Sequence, residues 1–262
     1  MDHIVWSINP VLLHIGPLAI HWYGVLFAGG IFVGMALLKY IYKLENKDPQ
    51  EVDNLLVYIV VGIIVGARLA HTLIYEPDYY LSNPIEILYI WRGGLASHGG
   101  LLGMMIAVWI YCKRYNESFT WIISRLTIPG AIFASMVRVG NFFNSEILGK
   151  TTNSITGIIF SRVDNLPRHP VQLYEAVAYA IFVPFLWYLY KRFSTQQSTA
   201  MLPGIFLIYV FSIRFILEFF KVQQASYTLS TPLTVGQLLS IPFILIGIIW
   251  IWYGFKIKKE KI

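Results

Sequence analysis

Arg138, Asn141, Asn144, Glu146 and Gly149 combine the side-chain types that hold an anion, within Arg138-Val-Gly-Asn-Phe-Phe-Asn-Ser-Glu146 and just past it. Arg138 and Asn141 stand i, i+3, so they share one face of a helix. A guanidinium offers paired donors that chelate phosphate oxygens, and asparagine amides can complete the coordination. Gly140 and Gly149 allow close backbone approach or unusual dihedrals. The plainer reading is a polar helix terminus capped by its own side chains. The setting favours chemistry: an apolar run from Leu126 to Val139 leads straight into the block. Charge at membrane depth is costly and concentrates where function requires it.

Arg214, Glu218 and Lys221 follow at i, i+4, i+7 among phenylalanines and aliphatics. On a helix they share a face, which suggests an arginine held by a carboxylate to receive an anion. The alternative is a self-neutralising pair that only permits insertion. Arg68 and Arg138 favour the first reading, because they add positive charge with few acids at that depth. His98 lies between glycines in Trp91-Arg-Gly-Gly-Leu-Ala-Ser-His-Gly-Gly100. An open imidazole near neutral pH suits general-base work, although a histidine bonded at a helix start fits the same pattern. His21, His71 and His169 fit structural roles better, and Tyr23 by depth alone is an interfacial belt residue. The single cysteine, Cys112, beside Lys113-Arg114, can form neither an intrachain disulfide nor a thiolate metal site. No HExxH, GxSxG elbow, P-loop or paired membrane aspartate is present, so no metal or other cofactor is implied.

These residues need elements to position them. Of the 262 residues, 56% are hydrophobic and only 13% charged, about half the charge of a soluble domain. The chain therefore reads as an all-α polytopic membrane protein rather than a soluble one with a large core. Seven spans are expected, over 18–41, 53–74, 95–112, 122–143, 171–190, 204–221 and 234–254. A short outer head falls over about 144–170, and a polar loop over Ser194–Thr199. The N-terminus lacks a basic n-region, so the first apolar segment should serve as a permanent anchor. Small-xxx-small pairs (Gly30/Gly34, Gly62/Gly66, Gly99/Gly103) would allow close helix packing. With the N-terminus outside, twelve of the 20 basic residues fall on inner loops and five on outer ones. That asymmetry favours N-out and C-in, so the net charge of +6 need not mean a nucleic-acid partner. In this frame the polar residues of six helices reach one level, facing the outer leaflet.

Five blocks then resemble, in order, the signature blocks of the bacterial prolipoprotein diacylglyceryl transferase family. They are His21-Trp-Tyr-Gly24, Gly93-Gly-Leu-Ala-Ser-His-Gly-Gly100, Arg138 to Glu146, Arg168-His-Pro-Val-Gln-Leu-Tyr-Glu175 and Arg214-Phe-Ile-Leu-Glu-Phe-Phe220. The resemblance implies transfer of the diacylglyceryl group of phosphatidylglycerol to the lipobox cysteine thiol of a preprolipoprotein. Glycerol 1-phosphate is released, and neither metal nor nucleotide takes part. It implies a monomer in a bacterial cytoplasmic membrane, with Arg138 and Arg214 on the phosphate and His98 activating the thiol. Tyr23, Asn141, Glu146, Gly149 and Glu218 match further family positions, and Asn144 stands within the same block. The chain departs from the pattern at Ser145, where many members have glycine, and at Lys221, where many have arginine. Val210 falls where some carry tyrosine, with Tyr209 beside it, and the head segment is short. A phospholipid transporter or scramblase would also need a cationic headgroup site, but its polar residues should continue to the inner side.

Overall fold

The structure, a computed structural model, describes residues 3–192, 200–222 and 232–259. The loop expected over Ser194–Thr199 lies outside the described residues. The chain divides into two units, Met1–Leu37 with Ser124–Ile262, and Leu38–Ile123. Strands β1 (Ile4–Trp6), β2 (Val11–Ile15) and β3 (Leu18–His21) precede α1 (Trp22–Leu44). Helix α2 (Glu51–Ala70) runs on through a π turn to Tyr75. The short α3 (Pro77–Ser82) and two 3-10 turns lead to α4 (Ser97–Tyr115) and α5 (Phe119–Asn144). Strands β4 (Ile158–Phe160) and β5 (Pro167–Arg168) precede α6 (Val171–Arg192), α7 (Leu202–Leu217) and α8 (Val235–Lys259).

Six helical segments are long and apolar enough to cross a membrane: Trp22–Leu44, Glu51–Tyr75, Phe119–Asn144, Val171–Arg192, Leu202–Phe220 and Val235–Gly254. Their outward faces carry bare apolar side chains such as Phe32, Ile181 and Ile249, as lipid-facing helices do. The seventh expected span, α4, is less apolar, and strand pairing settles its place. β1 precedes α1 and β4 follows α5, yet they pair in parallel with Ile4 opposite Ile158. Paired strands lie on one side of a membrane, so the crossings between them are even in number. Helices α1, α2 and α5 make three; α4, with 19 residues and about 28 Å of length, supplies the fourth.

Close packing makes α4 fit. A Cβ at Gly62 would lie 2.5 Å from Ala107 Cβ, and one at Gly66 would lie 2.7 Å from Gly103 Cα. No other residue lets α2 and α4 approach so closely. In the other unit, Gly30 packs on Phe133 and Gly34 on Pro129, joining α1 to α5.

The first span starts later than expected. Leu18–His21 is a strand rather than helix, because Gly16 (φ +58°) and Pro17 turn the chain and Leu18 pairs with Ile15. The sixth span ends earlier. Helix α7 stops at Leu217, a 3-10 turn covers Glu218–Phe220, and Lys221 bridges antiparallel to Gly149.

The expected head segment carries β4 and β5, which with β1 form a sheet in the order β1-β4-β5. Phe142, Ile158 and Phe160 pack beneath it with Trp6, Leu148 and Leu173. Trp6 sits 4.3 Å, centroid to centroid, from Phe142. This small core braces the end of α5, beside Asn141 and Asn144. Across β5, Arg168 Nε donates to Asp164 Oδ2 at 3.0 Å, and that hydrogen bond holds the Asp164 carboxyl below the usual range.

Candidate functional site

The end of α5 presents Arg138 and Asn141 on one face, as the spacing required. Arg138 Nη1 donates to Asn141 Oδ1 at 3.3 Å, and Asn141 Nδ2 donates to Glu146 Oε2 at 3.1 Å. Asn144 Nδ2 donates to the other oxygen, Glu146 Oε1, at 2.8 Å. Glu146 is thus an acceptor gripped by two amides, in a turn that neighbours help to hold. Gln172 Nε2 donates to its backbone carbonyl. Ser145 and Ile147, on either side of Glu146, have φ of +56° and +54°. A left-handed β-branched residue is a true conformational outlier. At Ser145 the dihedral explains why glycine suits this position, and its hydroxyl gains compensation by accepting from Arg162 Nη2 at 2.8 Å.

Tyr23 joins the same cluster. Its ring packs on Gly140 near the end of α5, a contact that an interfacial belt residue does not need.

The third wall is one face of α6, and here sequence reasoning misses the main residue. Gln172, Glu175 and Tyr179 stand i, i+3, i+7 and are all buried, at 0%, 0% and 2% exposure. Arg138 Nε lies 2.8 Å from Glu175 Oε2, and Lys221 Nζ lies 2.8 Å from Oε1. The Arg138 contact is a close ion pair whose N–H is not aimed at the oxygen, so Oε2 receives no hydrogen bond among the described residues. Tyr179 stands one turn beyond Glu175 on this buried face. The available signal is the spacing of three polar residues on one face of an apolar helix; within its sequence block Glu175 reads only as the last residue.

The Arg214–Glu218–Lys221 series keeps a helical face only as far as Glu218, whose backbone N–H still donates to the Arg214 carbonyl; Lys221 is extended and leaves it. Glu218 pairs with Lys221 at 3.5 Å, not with Arg214. Arg214 is partly buried and forms no ion pair among the described residues. Lys221 is nearly sequestered at 5% exposure. Gly149 owes its place to space rather than dihedral: a Cβ there would overlap the His169 carbonyl. His169 Nδ1 lies 3.3 Å from the Tyr174 hydroxyl, and its ring stands edge-on to Phe220. Tyr209 donates to the Ala178 carbonyl at 3.0 Å and stacks on Phe182, so its hydroxyl is committed to packing α6 against α7.

In the Leu38–Ile123 unit, Arg68 proves structural. The residue is 4% exposed, and its guanidinium donates to the carbonyls of Ile87 (2.8 Å), Gly93 (2.7 Å), Gly94 and Glu86. It also lies over the Tyr80 ring. Arg68 therefore fastens the segment after α2 and spends four of its five N–H donors on backbone carbonyls rather than on an anion, contrary to the sequence expectation. His71 packs against Gly94 and lies 3.6 Å from Glu76. His98, the second residue of α4, is exposed and makes no hydrogen bond among the described residues. His21 Nδ1 lies 3.2 Å from the Ala19 carbonyl, a local strand-end contact. Cys112 is buried.

Comparisons with known proteins agree on one group. The family model described as prolipoprotein diacylglyceryl transferase matches residues 10–253. A phosphatidylglycerol--prolipoprotein diacylglyceryl transferase of Tolumonas auensis is 49% identical over 98% of this chain and 100% of its own. Proteins of the same name from Chloroherpeton thalassium and Porphyromonas gingivalis are 44% and 42% identical. They cover 97% and 99% of this chain, and 96% of their own lengths.

Proposed function

The chain belongs to the prolipoprotein diacylglyceryl transferase family, and from that premise we propose how its residues carry out the transfer. The protein is a multi-pass membrane transferase that moves the diacylglyceryl group of phosphatidylglycerol to a prolipoprotein. In our reading the acceptor is the thiol of a lipobox cysteine. The thiolate attacks the glyceryl carbon that bears the phosphate. A C–S bond forms, the C–O bond breaks, and the phosphate leaves with the electron pair as glycerol 1-phosphate.

Arg138 and Arg214 hold the phosphate and stabilise the charge it gains on leaving. The observation that supports this assignment is Arg138 and Asn141 side by side at the end of α5, joined at 3.3 Å, while Arg214 is partly buried and forms no ion pair among the described residues. Asn141 completes the phosphate site. Asn144 and Glu146 form the turn that aims Asn141, and Tyr23 closes the cluster against Gly140. Glu218 and Gly149 support the wall behind them. A thiol with a pKa of about 8.5 must lose a proton before attack, and exposed His98 takes it, directly or through water. The protein works as a monomer in the bacterial cytoplasmic membrane, N-out and C-in. The site opens to the outer leaflet, and residues 144–170 form the outer head.

The test is one assay: purified protein with labelled phosphatidylglycerol and a lipobox peptide, with and without its cysteine. Release of glycerol phosphate should require the thiol. Arg138→Ala should abolish it, and His98→Gln should slow it while flattening its pH profile. Full activity of Arg138→Ala would sink the phosphate assignment. Lipid movement without thiol-dependent release would point to a transporter.

A further inference from the structure

Glu175 is divided between two cations. Lys221 Nζ occupies Oε1 at 2.8 Å, and Arg138 approaches Oε2 through Nε alone, also at 2.8 Å. Arg138 Nη1 turns to Asn141 instead. Guanidinium and carboxylate normally pair as two forks, with two parallel N–H···O bonds. In a fully buried site that arrangement would be strongly favoured, because both charges have lost water. Here it cannot form, since one prong of the carboxylate is already taken. Lys221 is itself fixed from two sides. Its backbone bridges Gly149, and its ammonium reaches Glu218 at 3.5 Å. Glu218 in turn packs on Gly236, in the first turn of α8, where any Cβ would strike its carboxylate.

We propose that Lys221 is a positioning residue that holds one oxygen of Glu175 and so prevents Glu175 from clamping Arg138, leaving an Arg138 donor edge for the lipid phosphate. The idea rests on the phosphate assignment above. It gives Lys221 no contact with substrate and makes its effect depend on Glu175. Without Lys221 the carboxylate turns both oxygens to Arg138, and the guanidinium is withdrawn from the phosphate. Without both Lys221 and the Glu175 charge, no clamp can form.

The experiment is a double-mutant cycle on the full chain in mixed micelles. KM for phosphatidylglycerol and kcat are measured for wild type, Lys221→Met, Glu175→Gln and the double variant, with the folded fraction of each determined by size-exclusion chromatography. Lys221→Met should raise KM about tenfold, within the range of coupling seen inside one ion-pair network, and change kcat much less. The double variant should match Glu175→Gln within about threefold, and Lys221→Arg, which still occupies Oε1, should match wild type within the same margin. An equal KM penalty for Lys221→Met in both backgrounds overturns the proposal, because Lys221 would then act on the substrate itself. A tenfold loss in Lys221→Arg overturns it as well. Should Lys221→Met not be recovered folded, Lys221→Gln takes its place in the cycle, with the same expected coupling and the same overturning results. An inactive wild type refutes the assigned function, whereas an active wild type without the coupling refutes only the role of Lys221.

Discussion

Replacing Gly149 by alanine separates a packing role from a binding role. The added Cβ would lie 2.7 Å from His169 Cβ and 2.8 Å from Val171 Cγ2, and would overlap the His169 carbonyl oxygen. The obstruction is backbone and the start of a helix, so a side-chain rotation cannot relieve it. Overpacking of this kind costs about 1–3 kcal/mol. The strand must also part from Lys221, which strains the bonds from Lys150 N to the Phe220 carbonyl (2.7 Å) and from Val222 N to the Leu148 carbonyl (3.1 Å). At about 1 kcal/mol for each such bond, the total is about 3–5 kcal/mol. A chain of this size loses roughly 2–4 °C per kcal/mol, so unfolding in detergent, followed by intrinsic fluorescence, should shift down by about 6–20 °C. Activity should fall in parallel, because the bridge carries Lys221 to Glu175. The reasoning fails if Gly149→Ala melts within about 1 °C of wild type and is still inactive. Gly149 would then be required by the substrate and not by His169.

Further consequences concern residues away from the phosphate. Arg68→Met leaves four part-buried carbonyls without their donors, so it should destabilise by about 3 kcal/mol, read as a lower melting temperature. Cys112→Ala should keep activity within about twofold, since shortening one small buried side chain costs stability rather than chemistry; loss of transfer would mean that this cysteine participates. The Asp164 carboxyl is held below its ordinary range by Arg168. The group therefore contributes stability above its unfolded pKa, and that contribution is lost as pH falls through the lower folded value. Hydrogen exchange of β4 and β5 should accelerate in wild type as acid is added below about pH 4, and Asp164→Asn should remove that component.

Much of the architecture is legible in the sequence because apolar run length and lipid thickness are local quantities. Residues 171–190 give α6 nearly to the residue, and Gly62/Gly66 with Gly99/Gly103 give a packing pair. The first span reads four residues too early because Leu18-Ala19-Ile20 is as apolar as the helix that follows, which outweighs the turn signal at Gly16-Pro17. The polar end of α5 is readable from Arg138 and Asn141, whose spacing lies within one turn. Partner choice is not. Arg68 and Arg138 look alike in sequence, yet one is spent on loop carbonyls some 18 to 26 residues away, and the other meets Glu175 on the next helix. Glu218 sits four residues from Arg214 but pairs with Lys221, because the chain turns extended at Lys221 to bridge Gly149. Such outcomes depend on where distant backbone turns, which no local spacing records.

The parallel pairing of β1 with β4 also sets a timetable for synthesis. Ile4 emerges first, but its partner Ile158 is translated about 150 residues later. At roughly 5–20 residues per second, β1 waits on the order of 10–30 s as a single strand. Four helices must insert in that interval, and each must deliver its end to the correct side before the sheet can close. The Phe142–Phe160 core, and with it the brace on Asn141 and Asn144, therefore cannot form until four helices are in place. A ribosome-bound chain stalled before Phe160 would hold its spans and its arginine, but not the geometry that aims them.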